Sequence, residues 1–222
     1  MSDFQLKLPE PNFSPVVSGD TVIKIDTGDA LKESGVKPQI VKTFKLVPET
    51  DPILKEVLPE FDFSNPPVNP NEFASTLVET CIANKGYGLS ANQCGFKHRV
   101  FVMGAENNYV AFFNPKIISM SKEESHMVEG CLSFPLLAIN ITRPKQIDVE
   151  YQDFNGEKKT ATFAGLSARC FLHELDHMNG IVYTSRAKPM ALQSGKKKRD
   201  KFLGLVAKAE KAKQKQFELT GK

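Results

Sequence analysis

The run "SARCFLHELDHMNG" holds two histidines four residues apart, His173 and His177, with Glu174 directly after the first. On a helix, residues i and i+4 lie one above the other, so both imidazoles aim at one point, as a metal ion requires. Glu174 is turned about 100° from His173, too far round to be an equal ligand. It still reaches a water on the metal and takes its proton, which is the mechanical reason for the H-E-x-x-H spacing. The competing reading is a pair of surface histidines on a polar helix face. The neighbours count against it, because Leu166, Cys170, His173 and His177 share one mostly apolar face. Buried imidazoles need partners, and a metal is the obvious one.

A catalytic site of the zinc type takes three protein ligands and leaves one position open for water. No distal histidine or glutamate follows the helix at the spacing of the familiar metalloprotease groups, and Asp176 lies on another face. The candidate third ligand is upstream: Cys131 in "EGCLSFP". A thiolate binds soft and borderline divalent cations well. A lone cysteine is more often a small buried hydrophobe; the setting between Gly130 and a proline turn favours the ligand role. A third segment, "GYGLSANQCG", brings glycines that let backbone run close to a ligand. It also brings Gln93, whose side-chain amide can donate to an oxyanion.

Taken together, "GYGLSANQ", "EGCLS" and "LHELDH" resemble the peptide deformylase family, whose chains show G-x-G-L-A-A-x-Q, E-G-C-L-S and Q-H-E-x-D-H in that order. "FFNPKI", the arginine of "ITRPKQI" and "ARCFLHELDHMNGI" fit as well, so the similarity covers roughly residues 45 to 186. The departures are mild: Ser90 stands for the first alanine of the pair, Leu172 for the usual glutamine, and "PLLA" follows Phe134.

The resemblance implies removal of the formyl group from the N-terminal methionine of new polypeptides. It implies a metal held by Cys131, His173 and His177, Gln93 and the Leu132 N–H at the oxyanion, and Glu174 as proton shuttle. Substrate contacts are expected from Gly86, Tyr87, Gly88, Leu89, Glu129 and Gly130, with Leu166 and Cys170 lining a methionine pocket rimmed by Tyr87. The glycine loop and the strand after Leu132 are expected to receive the peptide as an added strand. The donor set suits Zn²⁺, Fe²⁺, Co²⁺ or Ni²⁺, and the family points to Fe²⁺ in cells. Two rivals remain: an H-E-x-x-H protease cutting internal bonds, and a metal-stabilised module that captures peptide N-termini without turnover.

Short elements must position these groups. "VNPNEFASTLVETCIANKG" reads as a helix capped by Asn69, with Pro70 first, Glu72 third and Gly86 as its stop. Phe73, Leu77 and Cys81 form its stripe, with Ala74, Val78 and Ile82 alongside. "RVFVMG" and "YVAFFNPKI" read as strands broken at Gly104 and Pro115. "QIDVEYQDFNGEKKTATFAG" reads as a hairpin with a tight Asn155-Gly156 turn and Ile147, Val149 and Tyr151 on one side. The histidine helix runs from about Leu166 to Asn179, closed by Gly180. The expected class is α+β, with antiparallel or mixed strands packed around that central helix and a C-terminal surface helix.

Three segments are expected: an extension over residues 1–45 with an edge strand at "TVIKID", a hydrolase domain over 46–190, and a basic helix over 191–222. At 222 residues and 41% hydrophobic, the chain suits one soluble domain with a real core. No apolar run is long enough to span a bilayer, and the start lacks the layout of a signal or transit peptide. The expected location is a cytoplasm, of a bacterium or of a host cell if the gene is viral. The four cysteines are then reduced thiols. Net charge is +3, but residues 196–222 alone carry +7. Their apolar stripe is Phe202, Leu205, Val206 and Ala209, and the functional expectation is contact with ribosomal RNA.

Overall fold

The computed structural model describes residues 42–106 and 108–220. In chain order the elements are α1 (Pro70–Ala83), β1 (Gly88–Ser90), β2 (Val100–Ala105), β3 (Asn108–Met120), β4 (Glu124–Cys131) and β5 (Phe134–Pro144). They continue with β6 (Gln146–Gln152), β7 (Lys158–Ala164), α2 (Gly165–Met178) and α3 (Pro189–Thr220). The expected strand at "TVIKID" lies outside the described residues.

One sheet runs in the order β1-β2-β3-β6-β7, and β4 pairs with β5 as a separate hairpin; every pairing is antiparallel. β2 is buried on both faces, and its alternation shows why. Phe101 and Met103 pack toward α2 with Phe112, Ile147, Val149, Phe171 and Met178. Val100 and Val102 pack toward α1 with Phe73, Leu77 and Cys81. The sheet is thus covered by one helix on each face. α2 also reaches β5, so it lies between the sheet and the hairpin. The class is α+β around the histidine helix, as expected.

α1 begins as its sequence demands. Asn69 is extended, and its side chain accepts from the N–H groups of Asn71 and Glu72 at 3.1 Å each. Phe73, Ala74, Leu77 and Cys81 are buried, but Ile82 is exposed, so the apolar face is narrower than the spacing suggests. The stop is also different. Lys85, not Gly86, takes the left-handed conformation (φ 56°), and the Gly86 N–H bonds back to the Cys81 carbonyl at 2.9 Å. Gly86 has another reason to lack a side chain: a Cβ there would lie 2.8 Å from Leu132 Cδ1.

Neither expected strand break occurs. Gly104 sits within β2 opposite Tyr109, where a Cβ would fall 2.2 Å from the Asn108 carbonyl oxygen. Pro115 rides on a register shift between Phe113 and Lys116, which spares a ladder N–H. The β6–β7 hairpin forms with Ile147 and Val149 buried and Tyr151 packed against the same core. Its turn spans Asp153 to Glu157, with Asp153 Oδ1 accepting from Asn155 and Glu157, and is not a two-residue Asn-Gly turn. α2 matches its expected bounds to one residue, and Gly180 (φ 68°) closes it.

α3 starts at Pro189, earlier than the basic run. Ala191 and Leu192 join a third core of Ile53, Leu54, Leu137, Ile139, Ile141, Val182 and Tyr183. The packed body therefore extends past residue 190, and at the other end it includes Phe44 and Leu46. The expected stripe on α3 does not pack: Phe202, Leu205 and Ala209 are exposed, and Val206 is half-buried.

Candidate active site

The sulfur of Cys131 and a ring nitrogen from each of His173 and His177 lie within 4.8 Å of one another. α2 supplies the two histidines one turn apart, with ring centroids 5.2 Å from each other. The end of β4 supplies the sulfur, 3.3 Å from His177 Nε2. Both histidines are buried and Cys131 is half-buried. All four cysteines are free thiols.

The donor chemistry fits a divalent cation. Glu129 Oε2 accepts from His173 Nδ1 at 3.1 Å, which fixes the ring and leaves Nε2 as the ligand nitrogen. Burial, the charge of His173 and that of Arg143 push the His177 pKa well down, so that imidazole is neutral and offers a lone pair. Burial works the same way at His173, but hydrogen bonds to Cys131 and Glu129 outweigh it and raise its pKa.

Glu174 is buried one residue from this cluster. Burial raises its pKa, opposed by His173 and by a hydrogen bond from Ser90 Oγ to Oε2 at 2.6 Å. Its other oxygen lies against Gly88, where a Cβ would come within 2.5 Å of Oε1. Gln93 is oriented just as firmly. Its Oε1 accepts from the Ser90 N–H at 2.9 Å, so its Nε2 faces Ser133 Oγ at 3.0 Å and Cys131 Sγ at 3.4 Å. A short 3-10 turn, Ala91–Cys94, carries Gln93, and its neighbour Asn92 ties that turn to α2 by donating to the His177 carbonyl at 2.9 Å.

A buried ion network holds the hairpin to α2. Arg143 of β5 donates to Glu129 at 2.7 and 2.9 Å and to Asp176 at 2.8 Å. Arg169 of α2 also pairs with Glu129, and Arg186 with Asp176. Both oxygens of Glu129 are thereby occupied. Its carboxylate props His173 and bonds β4 to β5 and α2. Tyr183 adds a second prop: its ring lies 5.4 Å from His173, and its hydroxyl donates to the Leu137 carbonyl at 2.7 Å.

Of the remaining expected contacts, Leu89 points its side chain into the α1 core and is fully buried. The Gly86 carbonyl accepts from Tyr109 Oη at 2.6 Å, and the Tyr87 carbonyl from the Gly104 N–H at 2.8 Å, so the glycine loop is pinned. Leu132 is half-buried beside Gly86, Gly130 is exposed, and Leu166 and Cys170 are half-buried at the start of α2. Asp176, Arg169, Ser133, Tyr109 and Tyr183 went unassigned from sequence. For Asp176 there was a signal, an acidic residue on an otherwise buried helix, which demands cationic partners. Arg169, a charge on the same buried helix, carried the same signal; Ser133, Tyr109 and Tyr183 had none, since their partners are remote in the chain.

Comparison with known proteins bears on the same stretch. A family model described as polypeptide deformylase matches residues 43–193. The peptide deformylase of Thermotoga maritima is 39% identical over 140 residues, covering 63% of this chain and 84% of the relative. That of Treponema pallidum is 42% identical over 114 residues, covering 51% and 70%. Among solved structures, the Synechococcus elongatus peptide deformylase in complex with actinonin superposes with a TM-score of 0.66 at 26% identity, over 71% of this chain and 88% of that one. The Thermotoga maritima enzyme gives 0.61 at 35% identity, over 66% and 99%. Every residue of the cluster falls inside the stretch that the family model matches, and the chain belongs to the peptide deformylase family.

Proposed function

We propose that the chain removes the formyl group from N-formylmethionyl nascent polypeptides by hydrolysis at a divalent cation held by Cys131, His173 and His177. The observation that carries this is the meeting of those three ligands with a buried carboxylate, Glu174, and an oriented amide, Gln93. When bound, the cation supplies Lewis acidity and a water ionised near neutral pH. Glu174 accepts the proton of the attacking water, and its burial-raised pKa suits a group that must then return it. As the formyl oxygen gains charge, the Gln93 Nε2 and the Leu132 N–H donate to it; one such donor is worth about 3 kcal/mol of barrier. Glu174 then protonates the amine nitrogen as the C–N bond breaks, and formate leaves. The peptide binds as an added strand along Gly86–Leu89 and the segment after Leu132, with its methionine between Leu166, Cys170 and Tyr87.

Fe²⁺ is the proposed native ion, with Zn²⁺, Ni²⁺ and Co²⁺ as substitutes in the same donor set. The proposed setting is the cytoplasm, of a bacterium or of a host if the gene is viral. No helix among the described residues is long and apolar enough to cross a membrane. The exposure of α3 at residues 200–205 and 207–212, with the +7 charge of residues 196–222 in the sequence, supports contact with ribosomal RNA near emerging substrates.

The test is formate release from formyl-Met-Ala-Ser by anaerobically purified protein, with casein as the control for internal cleavage. Formate without casein cleavage supports the reading. Casein cleavage alone, or peptide binding without formate, overturns it.

A further inference from the structure

Ser90 is a buried hydroxyl residue of β1 whose side chain touches Glu174. We infer that Ser90 is a positioning residue that assigns the two oxygens of Glu174 to different tasks; this rests on the deformylase reading above. Ser90 and Gly88 are alternate residues of β1, so they present to the same side of the strand. Ser90 Oγ donates to Glu174 Oε2 at 2.6 Å, and Gly88 makes room for Oε1 by having no side chain. Both Ser90 and Glu174 are buried, so water does not compete strongly for this bond. A carboxylate on a flexible side chain samples several rotamers; the hydroxyl selects one and occupies Oε2. Oε1 is then the oxygen that takes the proton from water and returns it to the leaving amine.

The Gln93 side chain is oriented by the backbone N–H of Ser90, and that bond survives in Ser90→Ala. The hydroxyl also accepts from the Gln93 backbone N–H in the capping box of the turn Ala91–Cys94, so a loss that acted through Gln93 would persist when Glu174 is shortened, whereas one that acts through Glu174 would not. Alanine also leaves almost no void at this site. The expected result is a roughly tenfold fall in kcat, the size of one hydrogen bond to a charged group, with KM and metal content nearly unchanged and a thermal midpoint lowered by no more than the loss of one helix-cap bond.

A double-mutant cycle with Glu174→Asp separates positioning from mere packing. Aspartate is one methylene shorter and withdraws the carboxylate from Ser90. In that background Ser90→Ala is expected to cost less than about twofold. Wild-type kcat in Ser90→Ala, or losses that multiply in the double variant, would overturn the inference. An inactive wild type in the same assay would instead overturn the deformylase reading. A lowered thermal midpoint with unchanged kcat at a permissive temperature would assign the hydroxyl to stability alone and likewise reject the positioning role.

Discussion

At Glu174, two neighbours with no side chain or a very small one decide what a carboxylate can do. Gly88 gives it space and Ser90 gives it a single donor. Replacing Glu174 by Gln keeps the shape and removes the base. Formate release is expected to fall by about 10² to 10⁴, the usual worth of general acid–base catalysis, with metal content intact. Gly88→Ala keeps every titratable group but puts a methyl 2.5 Å from Oε1. The carboxylate must move, and a shift of about an ångström costs on the order of 10² in kcat. A Gly88→Ala enzyme with normal kcat would show that Oε1 is not confined there. The residues at this scale were the most legible in the sequence. Candidate metal ligands and a candidate base on one helix turn are fixed by local geometry, so His173, Glu174 and His177 can be placed from spacing alone. Ser90, Ser133 and Tyr183 were not legible in that way, because what they do depends on contacts 40 or more residues away.

The hairpin β4–β5 brings the sulfur to the histidines, and its attachment to α2 is ionic as much as apolar. Glu129 shows the balance. Burial alone would raise its pKa, but hydrogen bonds from His173 and Arg143 and their charges bring it down to about 2. A folded pKa below the ordinary value of 4.5 means stabilisation that is complete above about 4.5 and is lost as pH falls toward 2. The difference corresponds to roughly 3 kcal/mol. Urea midpoints are therefore expected to drop between about pH 5 and pH 2, and that slope is expected to flatten in Glu129→Gln. The same variant leaves Arg143 and Arg169 short of a buried partner, at a cost of about 3–5 kcal/mol at neutral pH. The apolar side of α2 is tested separately by Phe171→Ala. Phe171 is fully buried against Phe101, Phe112 and Phe163, so its truncation is expected to cost about 3–5 kcal/mol. Elements were legible where one period dominated, as in α1 and α2. They were misread where glycine and proline act through packing: Gly104 and Pro115 lie inside strands because a close cross-strand approach and a bulge absorb them.

For the whole molecule, α3 has two halves with different duties. Its first turns complete a core with Tyr183, the residue that also backs His173, and Gly195 lets the helix pack closely on β5, since a Cβ there would lie 2.9 Å from the Ala138 oxygen. Its later turns are basic, and residues 200–205 and 207–212 among them are exposed. Truncation after Arg199 is expected to spare turnover of a short formyl peptide and to weaken co-sedimentation with ribosomes at low salt. Truncation after Lys188 removes Ala191 and Leu192 from the core and is expected to lower both the thermal midpoint and activity. Equal sedimentation of the first truncation and the full chain would remove the ribosomal role. Charge counting could locate the basic half, but not the point where core ends and tail begins, because Ala191 and Leu192 look unremarkable until Ile53, Leu54 and Tyr183 are beside them.

The central claim is that one cation, gripped by a hairpin sulfur and two helix nitrogens, is required for deformylation. Its most direct test is to titrate Fe²⁺ anaerobically into metal-free protein while following formate release from formyl-Met-Ala-Ser. Activity is expected to rise linearly and saturate at one ion per chain, and Cys131→Ala is expected to lose both the tight binding and the activity. Full turnover by the metal-free protein, or unchanged binding and turnover in Cys131→Ala, would contradict it.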